Sequence, residues 1–242
     1  MAIRQVPRVA PKARNLTEST RRAFDLAADR YYYHDERWGC DLDLLRTVDV
    51  PARPRVLELG CGPGLLLRVC TLLFPDYRKI VGVEFAETVH RAATKELSDC
   101  RNSKVIYADM LDHLASCPAG QFDLVLLLNN TLGNCWFSGD LEQGQTELFR
   151  QIARVLSPGG TFMISVYSAV AVTLGRYGRD LRLVRDLGGG SYIGSVKHGN
   201  RAEEFFDHLF EPDELDPLLQ AAGFEVALRR RREHRLIYIC NR

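Results

Sequence analysis

Val56-Leu-Glu-Leu-Gly-Cys-Gly-Pro-Gly64 carries a short apolar strand into a turn with glycines at 60, 62 and 64, and the helical pattern Leu65–Leu73 follows. Glycine is needed where φ is positive or where a ligand meets bare backbone. A dinucleotide fingerprint would put its third glycine at position 65, which is Leu65; a P-loop would need Gly-Lys-Ser/Thr, which is absent. The turn therefore lacks both phosphate-binding spacings. Acids surround it instead. Glu58 sits at the end of the first strand, and Glu84 ends the second, 20 residues after Gly64. In doubly wound sheets, ligands lie at the carboxyl ends of strands, where the strand order reverses. A carboxylate at the end of strand two can accept bonds from both hydroxyls of a ribose. Asp109, after the strand Val105–Tyr107, can accept from the exocyclic amine of adenine or cap the short helix that follows. Three acids around a glycine turn suit a cationic nucleoside better than an anionic dinucleotide.

Outward from this turn, strand and helix patterns alternate. Arg55–Leu59, Ile80–Val83, Lys104–Tyr107, Phe122–Leu128 and Thr161–Val166 read as strands. Phe122–Leu128 holds one charge in seven residues, as a strand buried on both faces does. Leu65–Leu73, Glu87–Leu97 and Leu141–Leu156 read as helices, the last stopped by Ser157-Pro-Gly-Gly160. This alternation predicts an α/β fold, a mostly parallel sheet with right-handed crossovers and helices on both faces. A helix Pro212–Ala222 and a hairpin of Phe224–Leu228 with Leu236–Cys240 close the chain. Residues 1–16, interrupted by Pro7 and Pro11, read as a flexible basic arm, and 17–50 as a helical segment before the sheet. Residues 168–210, with Gly188-Gly-Gly190 and two strand patterns, read as an insertion in one domain spanning 17–242.

The formal charge of +1 hides an asymmetry. Residues 1–22 hold six basic groups and one acid, and residues 228–242 hold six arginines and one acid. The body between them keeps 20 basic and 29 acidic groups, a net of −9. The arginine run 229–232 is expected at a hairpin as a solvated end, since no aromatics alternate with it as in a single-strand nucleic-acid groove. Nucleic acid is thus disfavoured as the main partner. No apolar run reaches the roughly 18 residues of a membrane span, and Met1–Lys12 lacks a signal-peptide core. Seven widely spaced cysteines without a Cys-x-x-Cys pair argue against a disulfide framework or a zinc site and for a reduced, cytoplasmic protein.

Five segments in order, Glu58-x-Gly-x-Gly-x-Gly64, Gly82-Val-Glu84, Ala108-Asp109, Phe122-Asp-Leu-Val125 and Leu156-Ser-Pro-Gly-Gly160, resemble the motifs of class I S-adenosylmethionine-dependent methyltransferases. The resemblance covers roughly residues 54–167 and extends to the closing helix and hairpin. It implies a Rossmann-like sheet of seven strands, S-adenosylmethionine as cofactor and a small-molecule acceptor. It further implies that Gly60, Cys61, Gly62 and Gly64 line the methionine portion with Glu58. Glu84 would hold the ribose, Phe85 would flank adenine, and Asp109 with Met110 would bind the adenine edge. Tyr32 or Tyr33, from an aromatic-rich lid helix, would close over the cofactor; a tyrosine ring can also stabilise a sulfonium.

The segment Asn129-Asn-Thr-Leu-Gly-Asn134 follows the fourth strand beside the sulfonium position. It lacks the Asn/Asp-Pro-Pro-aromatic pattern of amide and nucleobase methylation, and resembles small-molecule enzymes. Asn129 belongs to the cofactor side. Asn130 and Asn134 either orient an acceptor or shape the turn. Tyr167 and Tyr177 are candidate acceptor contacts, and His208, in Asp207-His208, is a candidate base or a structural hydrogen-bonder. No motif-level base is visible, which favours a neutral amine over a hydroxyl as acceptor. Two rival readings stand beside methyl transfer. One is cofactor chemistry without methyl transfer, by aminopropyl transfer or internal cyclisation, releasing methylthioadenosine. The other is a non-catalytic nucleoside- or RNA-binding module. The oligomeric state is not legible.

Overall fold

The computed structural model describes residues 16–31, 38–137, 140–170, 181–211, 213–232 and 234–242. Two helices, α1 (Leu16–Tyr31) and α2 (Trp38–Leu45), lead into β1 (Arg55–Leu59), α3 (Leu65–Leu73), β2 (Lys79–Glu84), α4 (Glu87–Glu96), β3 (Ser103–Tyr107) and α5 (Met110–Ser116). Next come β4 (Phe122–Leu127), a 3-10 turn at Leu132–Asn134, α6 (Leu141–Val155) and β5 (Leu156–Tyr167). Then follow β6 (Leu181–Gly188), β7 (Ser191–His198), β8 (Arg201–His208), a short helix α7 (Leu215–Ala221), β9 (Glu225–Arg232) and β10 (Arg235–Asn241).

The main sheet has seven strands in the order β3-β2-β1-β4-β5-β10-β9. The first five run parallel, and β10 is antiparallel to β5 and β9. The strand order reverses between β1 and β4, which opens the ligand crevice at their carboxyl ends. β4 is buried along its whole length because both faces are covered. Phe122, Val125 and Leu127 pack with α5, α6 and α7 through Leu114, Phe149, Ile152 and Leu219. Leu124, Leu126 and Leu128 pack on the other side with Leu44, Leu45, Leu66 and Leu67 of α2 and α3. From Leu124 to Leu128, period-2 alternation thus feeds two cores, while Phe122, before the β4–β5 register shift, joins the first of them.

β6, β7 and β8 form a separate antiparallel sheet within the region read as an insertion. Its loop closes where Leu209 N–H donates to Gly190 O at 2.9 Å. A Cβ at Gly190 would stand 2.5 Å from Leu209 O, at φ +80, so only glycine fits there. Helix α1 packs on this small sheet, with Ala23 and Ala27 against Val196 and Phe205, and Leu16 against Ile193 and Phe206.

Two elements differ from the sequence-based expectation. The arginines at 229–232 are not in the hairpin turn: β9 runs through Arg232 and forms the edge of the main sheet. An edge strand is solvated, so long charged side chains fit, and they deter pairing with another chain. Arg229 pairs with Asp216 at 2.5 Å and Arg232 with Asp43 at 3.5 Å. The Ser157-Pro-Gly-Gly160 stop is drawn into β5. The β4–β5 register jumps there, from Phe122 opposite Leu156 to Leu124 opposite Thr161.

Candidate active site

The carboxyl ends of β1, β2 and β4 bring the glycine turn, Glu84 and the Asn129–Asn134 segment to one edge. Gly60, Gly62 and Gly64 all adopt positive φ, at 65, 54 and 83. A Cβ at Gly60 would stand 2.4 Å from Thr131 Cγ2, so the first glycine lets the turn close on the segment after β4. Cys61 N–H donates to Val83 O at 3.0 Å, fixing the turn to β2. The Cys61 side chain packs inward: a Cβ at Gly82 would lie 2.7 Å from its Sγ. Burial, with the charges of Glu58 and Glu84, pushes this thiol far up, so it stays protonated.

Glu84 is almost wholly buried. Its Oε2 accepts from Gly62 N–H at 3.0 Å, and its Oε1 accepts from Phe85 N–H at 3.0 Å and Ala86 N–H at 2.9 Å. Burial pushes its pKa up to about 7, against the pull of these three backbone bonds. Each carboxylate oxygen has two lone pairs, so the backbone bonds orient the group and leave capacity for a hydroxyl. Glu58, buried to 2% exposure, lies in β1 opposite Gly82 of β2 and Leu126 of β4. Phe85 has the ring of Phe24, from α1, at 6.2 Å between centroids. Asp109 is exposed and caps α5, its Oδ1 accepting from Leu111 N–H at 2.8 Å; Met110 begins that helix.

The residues after β4 are tightly held. Asn129 and Asn130 are consecutive left-handed residues, at φ 62 and 63, a costly conformation outside glycine. Asn129 N–H donates to Ser165 Oγ at 2.8 Å. Asn130, buried, donates from Nδ2 to Asp207 Oδ1 at 2.7 Å and accepts from Tyr167 N–H at 2.8 Å. Asn134 Nδ2 donates to Phe206 O at 3.0 Å and Asp207 Oδ1 at 3.2 Å. Both amides therefore clamp β8 to the main sheet. The His208 ring is buried between Ser191 Oγ, 2.9 Å from Nδ1, and Glu214 Oε1, 2.6 Å from Nε2. Tyr32, Tyr33 and Tyr177 lie outside the described residues.

Sequence reasoning missed two contributors. Asp25 of α1 accepts from Thr88 N–H at 2.7 Å, capping α4, whose own N-cap, Ala86, makes no side-chain cap. Helix α1 thereby joins the small sheet to the Glu84 side. Arg235, buried at the start of β10, donates to Asn129 Oδ1, which also accepts from the Tyr167 hydroxyl at 3.4 Å. Its guanidinium lies over the Tyr167 ring, 5.5 Å from the centroid. The period-2 pattern of β10 was the available signal, but the neighbouring arginines masked it.

A sheet in this order, with a glycine turn after β1 and a buried acid ending β2, defines a class I S-adenosylmethionine-dependent methyltransferase. Residues 30–228 match the family model described as a methyltransferase domain, and the chain belongs to that family. It is 32% identical over 154 residues to the biotin biosynthesis bifunctional protein BioCD of Bordetella avium, an alignment covering 61% of this chain and 30% of that protein. It is 30% identical over 134 residues to trans-aconitate 2-methyltransferase of Variovorax paradoxus, covering 55% and 46%. The chain thus spans less than half the length of either relative. Among solved structures, a DhpI–SAH complex superposes with a TM-score of 0.68 at 17% identity, covering 95% of this chain and 98% of that one, and shares the fold.

S-adenosylmethionine is the cofactor of this enzyme. The residues at the edge fit it. Two buried acids suit a cation, and Glu84 is set by backbone N–H groups at the end of β2. Phe85 follows it in the chain, and Asp109 lies just past the end of β3, the strand paired with β2. Among the described residues, no helix is long and apolar enough to cross a membrane.

Proposed function

We propose that this enzyme transfers a methyl group from S-adenosylmethionine to a small-molecule acceptor that is nucleophilic without help from a protein base. The observation that carries the reading is the buried Glu84 carboxylate, bound to Gly62, Phe85 and Ala86 at the carboxyl edge. When bound, S-adenosylmethionine supplies a methyl already activated by positive sulfur. Glu58 and the backbone of Gly60, Cys61, Gly62 and Gly64 bind its methionine portion, Glu84 its ribose, and Phe85, Asp109 and Met110 its adenine. Capping of α5 by Asp109 is compatible with this, because a carboxylate offers two oxygens.

The protein's remaining work is to align the acceptor and exclude water. Asn130 and Asn134 act through the β8 clamp, and His208 positions the small sheet between Ser191 and Glu214 rather than serving as a base. A neutral amine needs no base, which supports nitrogen; an ionised carboxylate oxygen needs none either. The name of the trans-aconitate relative, an acid methylated by that protein, supports the second choice. Residues 17–50 are a lid and 168–210 a flap of a single domain; of the arm read at 1–16, Leu16 belongs instead to α1, and 1–15 lie outside the described residues. This reading is supported by α1 bonding to Phe206 of the small sheet and to Thr88 of α4. Free cysteines at 61, 70, 100, 117, 135 and 240 favour a reducing, cytoplasmic setting. Neither membrane nor nucleic acid is a partner in this reading.

The test is mass spectrometry of products from cofactor plus panels of small amines and acids, with a cofactor-only control. S-adenosylhomocysteine together with a methylated acceptor is expected. Methylthioadenosine in the control would replace methyl transfer with cofactor fragmentation. Absence of any cofactor binding in calorimetry, with salt-sensitive RNA binding instead, would overturn the enzyme reading.

A further inference from the structure

We infer that β9, the open edge of the main sheet, is a docking site for an acidic protein segment that adds to it as a further strand. β9 ends the sheet order, so one side of its main chain has no neighbouring strand among the described residues. Such a row of N–H and C=O groups is a template for an extended chain. The second half of the strand is Arg229, Arg230, Arg231 and Arg232, all exposed. Arg232 lies opposite Arg235, and Arg235 lies opposite Tyr167 at the end of β5. The arginine half of β9 is therefore at the carboxyl edge of the sheet. A segment docked there is held beside the proposed cofactor site and not in it, so docking is independent of which acceptor is methylated.

The two faces of the sheet divide these arginines evenly. The β9–β10 register shifts between Val226, opposite Cys240, and Leu228, opposite Ile239. Val226 accordingly packs on the core under α7, and Leu228 on the core under α2. By period-2 alternation Arg230 and Arg232 follow Leu228 on the α2 face, and Arg229 and Arg231 stand on the α7 face. The ion pairs agree: Arg232 meets Asp43 of α2, and Arg229 meets Asp216 of α7. Each face thus has one arginine paired within the chain and one, Arg230 or Arg231, with no acid beside it among the described residues. A flat surface such as a membrane meets only one of these two adjacent cations. A strand laid along the edge meets both, because its own neighbouring side chains alternate in the same way. The occupant is therefore extended and has acids at two consecutive positions, where each guanidinium fork matches a carboxylate. A second copy of β9 would set arginine against arginine, which opposes self-pairing. Single-stranded nucleic acid would use stacking rings, and Glu225–Arg232 has none.

The experiment titrates the full chain with a short fluorescent peptide that has two consecutive glutamates in a threonine and valine background, read by anisotropy at low salt. Saturable binding is expected, with slower amide exchange along β9 in the complex. The same peptide with glutamines binds at least tenfold more weakly, as does one N-methylated at every second backbone nitrogen, which keeps the charge but cannot pair as a strand. The double variant Arg230→Glu, Arg231→Glu loses the peptide by tenfold or more, and Arg230→Lys, Arg231→Lys retains part of it. S-adenosylhomocysteine affinity moves less than twofold in both, which shows that each variant is folded. Absence of glutamate-peptide binding to wild type overturns the inference, and equal binding of the N-methylated peptide does so too. Tighter binding of a short single-stranded RNA through the same two arginines would also overturn it and give the edge to nucleic acid.

Discussion

Asp123 and Glu84 are buried acids at opposite ends of the same sheet. Asp123, near the amino end of β4, accepts from Arg55 N–H at 2.9 Å, from Arg55 Nε at 2.9 Å and Nη2 at 2.6 Å, and from Ser157 Oγ at 2.9 Å. The guanidinium bonds of Arg55, first among these causes, hold its pKa below the ordinary carboxylate value. Glu84, at the carboxyl end of β2, is set by backbone N–H groups, and burial raises its pKa to about 7. One end of the sheet meets its acid with a guanidinium; the other holds its acid on backbone N–H groups. The first arrangement ties β1 to β4, and the second leaves a buried acid of raised pKa at the edge where we propose the cofactor binds.

Removing each acid in turn should separate the two ends. Asp123→Ala breaks the bidentate pair and is expected to lower stability by about 3 kcal/mol in urea unfolding, with S-adenosylhomocysteine affinity unchanged in the folded fraction. Equal losses of stability and affinity would erase the distinction. Glu84→Gln is expected to do the reverse. Cofactor affinity should fall about 30-fold by calorimetry, close to 2 kcal/mol, for loss of charge-assisted bonds to hydroxyls.

Acidity sharpens the contrast. The raised pKa of Glu84 means that the folded protein holds an extra proton between pH 4.5 and about 7, so this group's contribution to stability falls as pH rises across that window. Hydroxyl donors favour the ionised form, so cofactor binding releases the proton. Affinity should weaken about tenfold from pH 8 to pH 6, a trend absent in Glu84→Gln. The lowered pKa of Asp123 has the opposite sign: its stabilisation is present above pH 3.8 and is lost as pH falls through its folded value. The smallest expected effect concerns the helix that covers the Glu84 end. Asp25→Ala removes the α4 cap and should cost about 1 kcal/mol in thermal unfolding, with faster amide exchange at Thr88.

Much of the scaffold was legible because it rests on local patterns. Val56–Gly64 announced a strand, a glycine turn and a helix; Phe122–Leu127 announced a strand covered on both faces. Glu84 could be placed because it follows a short apolar run by a fixed count. The first strand of the small sheet, β6, was missed because Leu181–Gly188 mixes charges with apolar residues on a largely exposed face. The roles of Asn130 and Asn134 were left open, since an asparagine after a strand serves a turn or a ligand equally well from sequence. Their partners, Asp207 and Phe206, lie more than 70 residues away.

The sequence by itself determined the order of strands and helices, the glycine turn and the acids at the strand ends, because these depend on neighbours a few residues apart. Tertiary structure decided what each charge does. It paired Asp123 and left Glu84 facing the ligand edge. It also drew Arg235 inward while Arg229–Arg232 stayed on the sheet edge. Along the chain those five arginines are nearly alike. Only the register of β10 against β5, which sets Arg235 opposite Tyr167 and within reach of Asn129, 106 residues earlier, distinguishes a buried cation from solvated ones.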